Sequence, residues 1–370
     1  LFFISFFYFF PFNPPPFERR GQNFLIITLE GFRKDSLAYM PDMEKMASKG
    51  AMFQSLYLAS PDFKKNIEKL FIQKEKCLLD FFPERYQSSF LVPKSFKDYK
   101  ILNYFKEKHF YGEKGFYSLT LENFFFLKLF QKQKKYDTRD IFDLCYEKIT
   151  SLNRPFIFWL HIDVLKNSIP ENIKMDTLDG KIQKEILKEY YLKEISKLDH
   201  AFSKFFLKLQ REKWFEKTNF LILGVSGFEL LEHSSIGTGK DYYQESLVVP
   251  FIWTGPLISP KKIDHPISIL DLYPTLLKKF NLSKEYKNFE GLDFTPSFEN
   301  IFPLDRVFYF YGNEYFIKAK AFIKEDKKII LKENGEVEVY DLQKDPLEKI
   351  NLYFLKDENI IKLVEEVKKL

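Results

Sequence analysis

Cysteine is scarce in this chain, with only Cys77 and Cys145 among its 370 residues. Two thiols make no disulfide framework, and neither lies in a CxxC or Cys/His spacing that would announce structural zinc. Charge of one sign is lacking too. The 57 basic and 52 acidic side chains are interspersed and leave a formal net charge of +5, so no concentrated basic field points to nucleic acid. No internal repeat is visible. Beyond the N-terminus, no apolar run approaches the ~20 residues of a membrane-spanning helix. What abounds is Phe (44 residues) and Tyr (21 residues), with much Lys and Ile. An aromatic binding surface is one account of them, and the codon bias of an AT-rich genome is the plainer one. With 45% apolar and 29% charged residues, the composition is that of a globular protein of one large α/β domain or two middling ones.

The chain opens on LFFISFFYFFPF, followed by Asn13-Pro14-Pro15-Pro16. As a helix those twelve residues would reach ~18 Å, short of the ~30 Å hydrocarbon core. No basic segment precedes them and no Met begins them. They read as the remnant of a signal peptide or an N-terminal anchor, and hence as an extracytoplasmic protein, periplasmic or membrane-anchored. A misassigned start codon is the competing explanation.

From Asn23 onward, short apolar runs alternate with helical patterns, as in an α/β protein. Phe24 to Leu29, Phe156 to His161, Asn219 to Val225 and Leu247 to Trp253 are continuous apolar runs, which suit strands covered on both faces. Between the second and third, from about Gln183 to Gln210, Ile186, Tyr190, Ile195, Leu198, Phe202 and Leu209 recur at helical spacing and predict a helix packed on the sheet. Beyond Pro296 the pattern turns to alternating strands with a tight turn at Asn334-Gly335. The stretch from Lys74 to Lys148 offers few signals.

The run from Asn23 to Leu37, including Glu30-Gly31-Phe32-Arg33-Lys34-Asp35, resembles the opening strand of the sulfatase branch of the alkaline phosphatase superfamily. Met40 to Phe53 is similar to that family's next helix, Pro155 to His161 to its P-F-F-x-x-x-H strand, and Asn219 to Glu245 to its S-D-H-G strand and loop. Val249-Pro250-Phe251-Ile252, Ser268 to Leu277 and Val339 to Leu352 follow in register. The resemblance implies an alkaline-phosphatase-like sandwich, a mostly parallel central sheet between helices, plus a small antiparallel C-terminal subdomain. The expected division is an apolar leader and linker over 1–20, a sulfatase-like domain over 21–298 and a C-terminal subdomain over 299–370.

Such enzymes cleave sulfate or phosphate esters. A divalent cation offsets charge on the transferred group, oxygen ligands and His hold it, and the nucleophile sits at a helix N-terminus. The resemblance puts the first metal carboxylate on Glu30, either a surviving ligand or an exposed strand-end carboxylate. It puts the nucleophile on Phe63, which has no nucleophilic atom. Ser60 and Asp62, its oxygen-bearing neighbours, read as N-caps. Val225 and Ser226 stand where the second carboxylate and imidazole belong, Leu165 where a pocket His belongs, and Thr238 and Lys240 where two more His belong. His161 remains, read as a satisfied structural residue, and His233 matches the family's E-H after the metal loop, outside the metal pair.

The expectation is therefore a sulfatase-like pseudoenzyme, with no catalytic residue intact and no cofactor, retaining the fold as a binding or assembly surface. Its partner would be a protein or an anionic ligand, and not nucleic acid, with membrane anchoring through the N-terminus. The alternative is an atypical ester hydrolase or phosphoethanolamine-type transferase. Its calcium or other divalent ion would be held by at least three of Glu30, Asp62, Asp163, His161 and His233. In a third reading Lys64, Lys65 and Lys240 hold a sulfate or phosphate group without turnover.

Overall fold

A computed structural model describes residues 21–111, 138–170, 180–256, 258–299, 301, 306–312 and 318–369. The expected leader, residues 1–20, lies outside them, and among the described residues no helix is long and apolar enough to cross a membrane.

The main sheet runs in the order Lys261–Ile263, Ala51–Tyr57, Val248–Thr254, Thr218–Gly224, Asn23–Leu29, Phe156–Ile162, Gln87–Pro93, Glu107–Tyr111, and Ile267–Ser268 also pairs with Ala51–Tyr57. Asn23–Leu29 lies at its centre, parallel to both neighbours. Val248–Thr254 alone runs against its neighbours, antiparallel to Ala51–Tyr57 and to Thr218–Gly224. Every residue of the central strand is buried, because successive side chains enter different cores. Phe24 and Ile26 pack with Ile67, Leu70 and Leu276 of the helices Phe63–Phe71 and Leu272–Lys279. Leu25, Ile27 and Leu29 pack with Met43, Ile141, Leu187 and Leu198 of the helices Pro41–Ala47, Thr138–Ser151 and Gly180–Arg211. That double cover is the physical reason the strand sequences show no polar alternation.

The C-terminal sheet is a sequential antiparallel array of Val307–Phe310, Ala319–Lys324, Lys327–Lys332 and Val337–Asp341. The helix Glu358–Val367 lays Val364 and Val367 against Phe322, Ile329 and Val339 on this sheet. Polar contacts join this sheet to the larger one. Lys328 and Glu348, both fully buried, form an ion pair at 2.6 Å, and a Glu348 oxygen accepts from the Gln244 N–H at 2.6 Å. The Tyr242 hydroxyl donates to the Ala319 carbonyl at 2.7 Å.

Candidate functional site

The three central parallel strands end together: Thr28 faces His161 and Leu223, and Leu29 faces Ile162 and Gly224. Their register brings Glu30, Asp163 and the pair Val225–Ser226 to one edge of the sheet. The Glu30 N–H donates to the Ile162 carbonyl and the Val225 N–H to the Leu29 carbonyl, both at 2.9 Å.

The helix Phe63–Phe71 starts beside this edge. Asp62, in extended backbone, caps it by accepting from the Lys64 N–H at 2.9 Å, and the Ser60 hydroxyl accepts from the Asp62 N–H at 3.1 Å. The helix start is fixed by Asn66, which is wholly buried. Its side-chain oxygen accepts from the Ala59 and Ser60 N–H groups, and its amide donates to the Ser60 carbonyl at 2.7 Å and the Val225 carbonyl at 2.9 Å.

Glu30 is buried, at 1% exposure, which corrects the reading of an exposed strand-end carboxylate. Two later segments cover it. The Lys166 ammonium lies 3.0 Å from one carboxylate oxygen, and the Thr238 hydroxyl donates to the same oxygen at 3.3 Å. The other oxygen lies 3.9 Å from Nε2 of His161. The Lys166 ammonium is also 5.0 Å from the centre of the Phe63 ring, a cation–π distance. Phe63 lies nearly parallel to the His161 imidazole, with centroids 6.0 Å apart.

His161 is only half the satisfied residue expected. Its Nδ1 is 2.8 Å from the Thr28 hydroxyl oxygen, which also accepts from the Trp159 indole N–H. Its Nε2, fully buried, has no hydrogen-bond partner among the described residues. Asp163 accepts from the Tyr111 hydroxyl at 3.2 Å. Burial holds the Asp163 carboxyl above its ordinary range, with Glu30 repulsion adding to it, and burial raises Asp62 in the same way.

The remaining positions have other work. The Ser226 hydroxyl accepts from the Gly31 N–H at 2.9 Å. Val225 and Leu165 are fully buried in the two cores. Thr238 and Lys240 flank Gly239, whose φ of 75° suits a residue without Cβ where the loop passes the Pro61 carbonyl. His233 belongs elsewhere: its Nδ1 is 2.6 Å from a Glu245 oxygen, its Nε2 is 3.1 Å from the Glu348 carbonyl, and Tyr243 stacks on it at 3.6 Å. Lys64 is exposed and Lys65 half-buried.

The donors around Glu30 do not suit a divalent ion. Glu30 is satisfied by an ammonium and a hydroxyl, Ser226 by a backbone amide, and Val225 offers no donor. Among the described residues, no group of three or more His, Cys, Asp and Glu could hold a metal. The sequence reading missed Lys166 and Asn66. Lys166 stands three positions after Asp163, but among 57 basic residues nothing marks it out. Asn66 carries no local signal either, since all its partners are backbone groups of Ala59, Ser60 and Val225. A cavity of about 820 Å³, whose lining does not include Glu30, has Lys34, Lys184, Lys188 and Lys262 as well as Glu44 and Glu232 on its walls.

The chain is similar to several proteins. Over 188 residues it is 29% identical to an arylsulfatase of Clostridium perfringens, a match covering 48% of this chain and 39% of that protein. The matched segment thus spans well under half the length of that relative. A solved 2-O GAG sulfatase superposes with a TM-score of 0.70 at 16% identity, covering 95% of this chain and 91% of that one. A phosphonate monoester hydrolase of Agrobacterium radiobacter gives 0.68 at 12% identity, covering 94% of each chain. At such identities these two likenesses establish the fold. The model of the Sulfatase family matches residues 22–282, and with the strand order and site position described above, the chain belongs to the sulfatase family.

Proposed function

We propose that this chain is a sulfatase-family protein without ester-transfer chemistry, whose fold serves as a binding or assembly surface. The observation that supports this best is Phe63. It is the first residue of the helix Phe63–Phe71, directly after the Asp62 cap, where an anionic group would meet free backbone N–H groups. A phenyl ring there supplies no electron pair for attack on sulfur or phosphorus. The reading includes an anionic ligand or a protein as partner. In favour of a protein partner is the cavity whose walls carry both signs of charge, Lys34, Lys184, Lys188 and Lys262 together with Glu44 and Glu232. It also includes an extracytoplasmic location with residues 1–20 as anchor, for which the apolar run from Leu1 to Phe12 speaks.

One observation favours an atypical active enzyme instead: Nε2 of His161, without a hydrogen-bond partner among the described residues, stands 3.9 Å from Glu30. Turnover of aryl sulfates, phosphomonoesters and phosphonate monoesters, with calcium, manganese or zinc added, separates the two. The proposal expects rates equal to a Glu30→Ala control, and turnover that Glu30→Ala abolishes overturns it.

A further inference from the structure

A buried carboxylate needs a positive charge within contact distance, and a metal ion or an ammonium can supply it. We propose that Lys166 is a built-in cation that takes the place of a divalent metal beside Glu30 and closes this site to metal ions.

Four observations carry this. Glu30 is 1% exposed whereas the Lys166 side chain is 45% exposed, so the lysine reaches in from solvent to a buried carboxylate. The contact is 3.0 Å, the distance of a charge-assisted hydrogen bond. The Phe63 ring, 5.0 Å from the ammonium, presents the same cation with a π-face. The nearby groups are otherwise engaged: Val225 is apolar, Ser226 accepts from the Gly31 N–H, Asp163 accepts from the Tyr111 hydroxyl and Asp62 caps the helix. At Glu30 one carboxylate is matched by one ammonium, so the pair itself leaves no net charge for a divalent ion to neutralise.

This inference deepens the non-catalytic reading and rests on it for its biological sense, yet its readouts are stability and metal response rather than turnover. Melting temperatures would be compared for wild type, Lys166→Met, Lys166→Arg, Glu30→Gln and the Glu30→Gln/Lys166→Met double variant, each with and without 1 mM calcium, manganese or zinc. Lys166→Met leaves a buried carboxylate unpaired, and its melting temperature is expected to fall by about 5 °C or more. Lys166→Arg should retain most of the stability, and Glu30→Gln should restore most of it to Lys166→Met by removing the charge that needs a partner. Wild type should respond to none of the three metals in a way that depends on Glu30. Undiminished stability of Lys166→Met, or failure of the double variant to recover, overturns the pairing. A saturable metal-induced rise in wild type that vanishes in Glu30→Gln overturns the closure to metal, even if no ester is turned over. Ester turnover by a metal-insensitive wild type would instead sink the non-catalytic reading and leave Lys166 in its role.

Discussion

The phenyl ring of Phe63 lies almost parallel to the imidazole of His161, with planes 13° apart and centroids separated by 6.0 Å. Phe96 packs against both, at 5.8 Å from Phe63 and 4.6 Å from His161. An aromatic layer thus lines the helix start where the family's chemistry would take place. Replacing Phe63 by Ser provides a hydroxyl but opens a void in this layer. The expected result is a loss of about 1–3 kcal/mol in urea unfolding and no gain of aryl sulfate turnover.

Asn66 holds the same helix start by polar means. Both of its amide hydrogens and its carbonyl oxygen are used, on Ala59, Ser60 and Val225. Asn66→Ala leaves these buried backbone groups without partners, and a loss of at least about 2 kcal/mol is expected in chemical denaturation. Asn66→Asp should fare no better, since a carboxylate cannot donate to the Ser60 and Val225 carbonyls.

Stability should fall toward alkaline pH. Burial, reinforced by the Asp241 and Glu245 carboxylates, holds the Glu229 carboxyl up at about 8, against an ordinary 4.5. The native protein therefore keeps a proton that the unfolded chain has lost. This contribution is full below about 4.5 and is lost as pH rises through about 8. His233 acts in the same direction: burial lowers its pKa, but the bond to Glu245 outweighs this and raises it above 6.5. Melting temperature measured across this range should decline, and less steeply in Glu229→Gln.

A buried charge pair lies within the C-terminal unit, where Glu348 also accepts from the Gln244 N–H. Lys328→Met strands Glu348, whose carboxyl burial already raises and Lys328 draws back down. The expected cost is about 3–5 kcal/mol, read by urea denaturation. Glu348→Gln/Lys328→Met, which removes both charges, should recover much of it.

The fold was legible in the sequence where packing writes a continuous apolar code. The four apolar runs coincide with Asn23–Leu29, Phe156–Ile162, Thr218–Gly224 and Val248–Thr254 to within a residue or so, and the helical stripe with Gly180–Arg211. The turn at Asn334–Gly335 joins Lys327–Lys332 to Val337–Asp341 as its sequence suggests. The stretch from Lys74 to Lys148 hid Gln87–Pro93 and Glu107–Tyr111. These strands are joined by single 3₁₀ turns over Lys94–Phe96 and Lys100–Tyr104, too short to set up a period. In the site, Asp62 was readable as a cap because capping is local. The burial of Glu30 was not, because the groups that cover it, Lys166 and Thr238, lie 136 and 208 positions away in the chain.

In this sulfatase-family scaffold an ammonium stands beside Glu30 and a phenyl ring stands at the helix start. Divalent metal, measured element by element in protein purified without chelator, tests this arrangement most directly. No stoichiometric metal is expected in wild type and none in Glu30→Ala. About one calcium, zinc or manganese per chain in wild type, lost in Glu30→Ala, would contradict it.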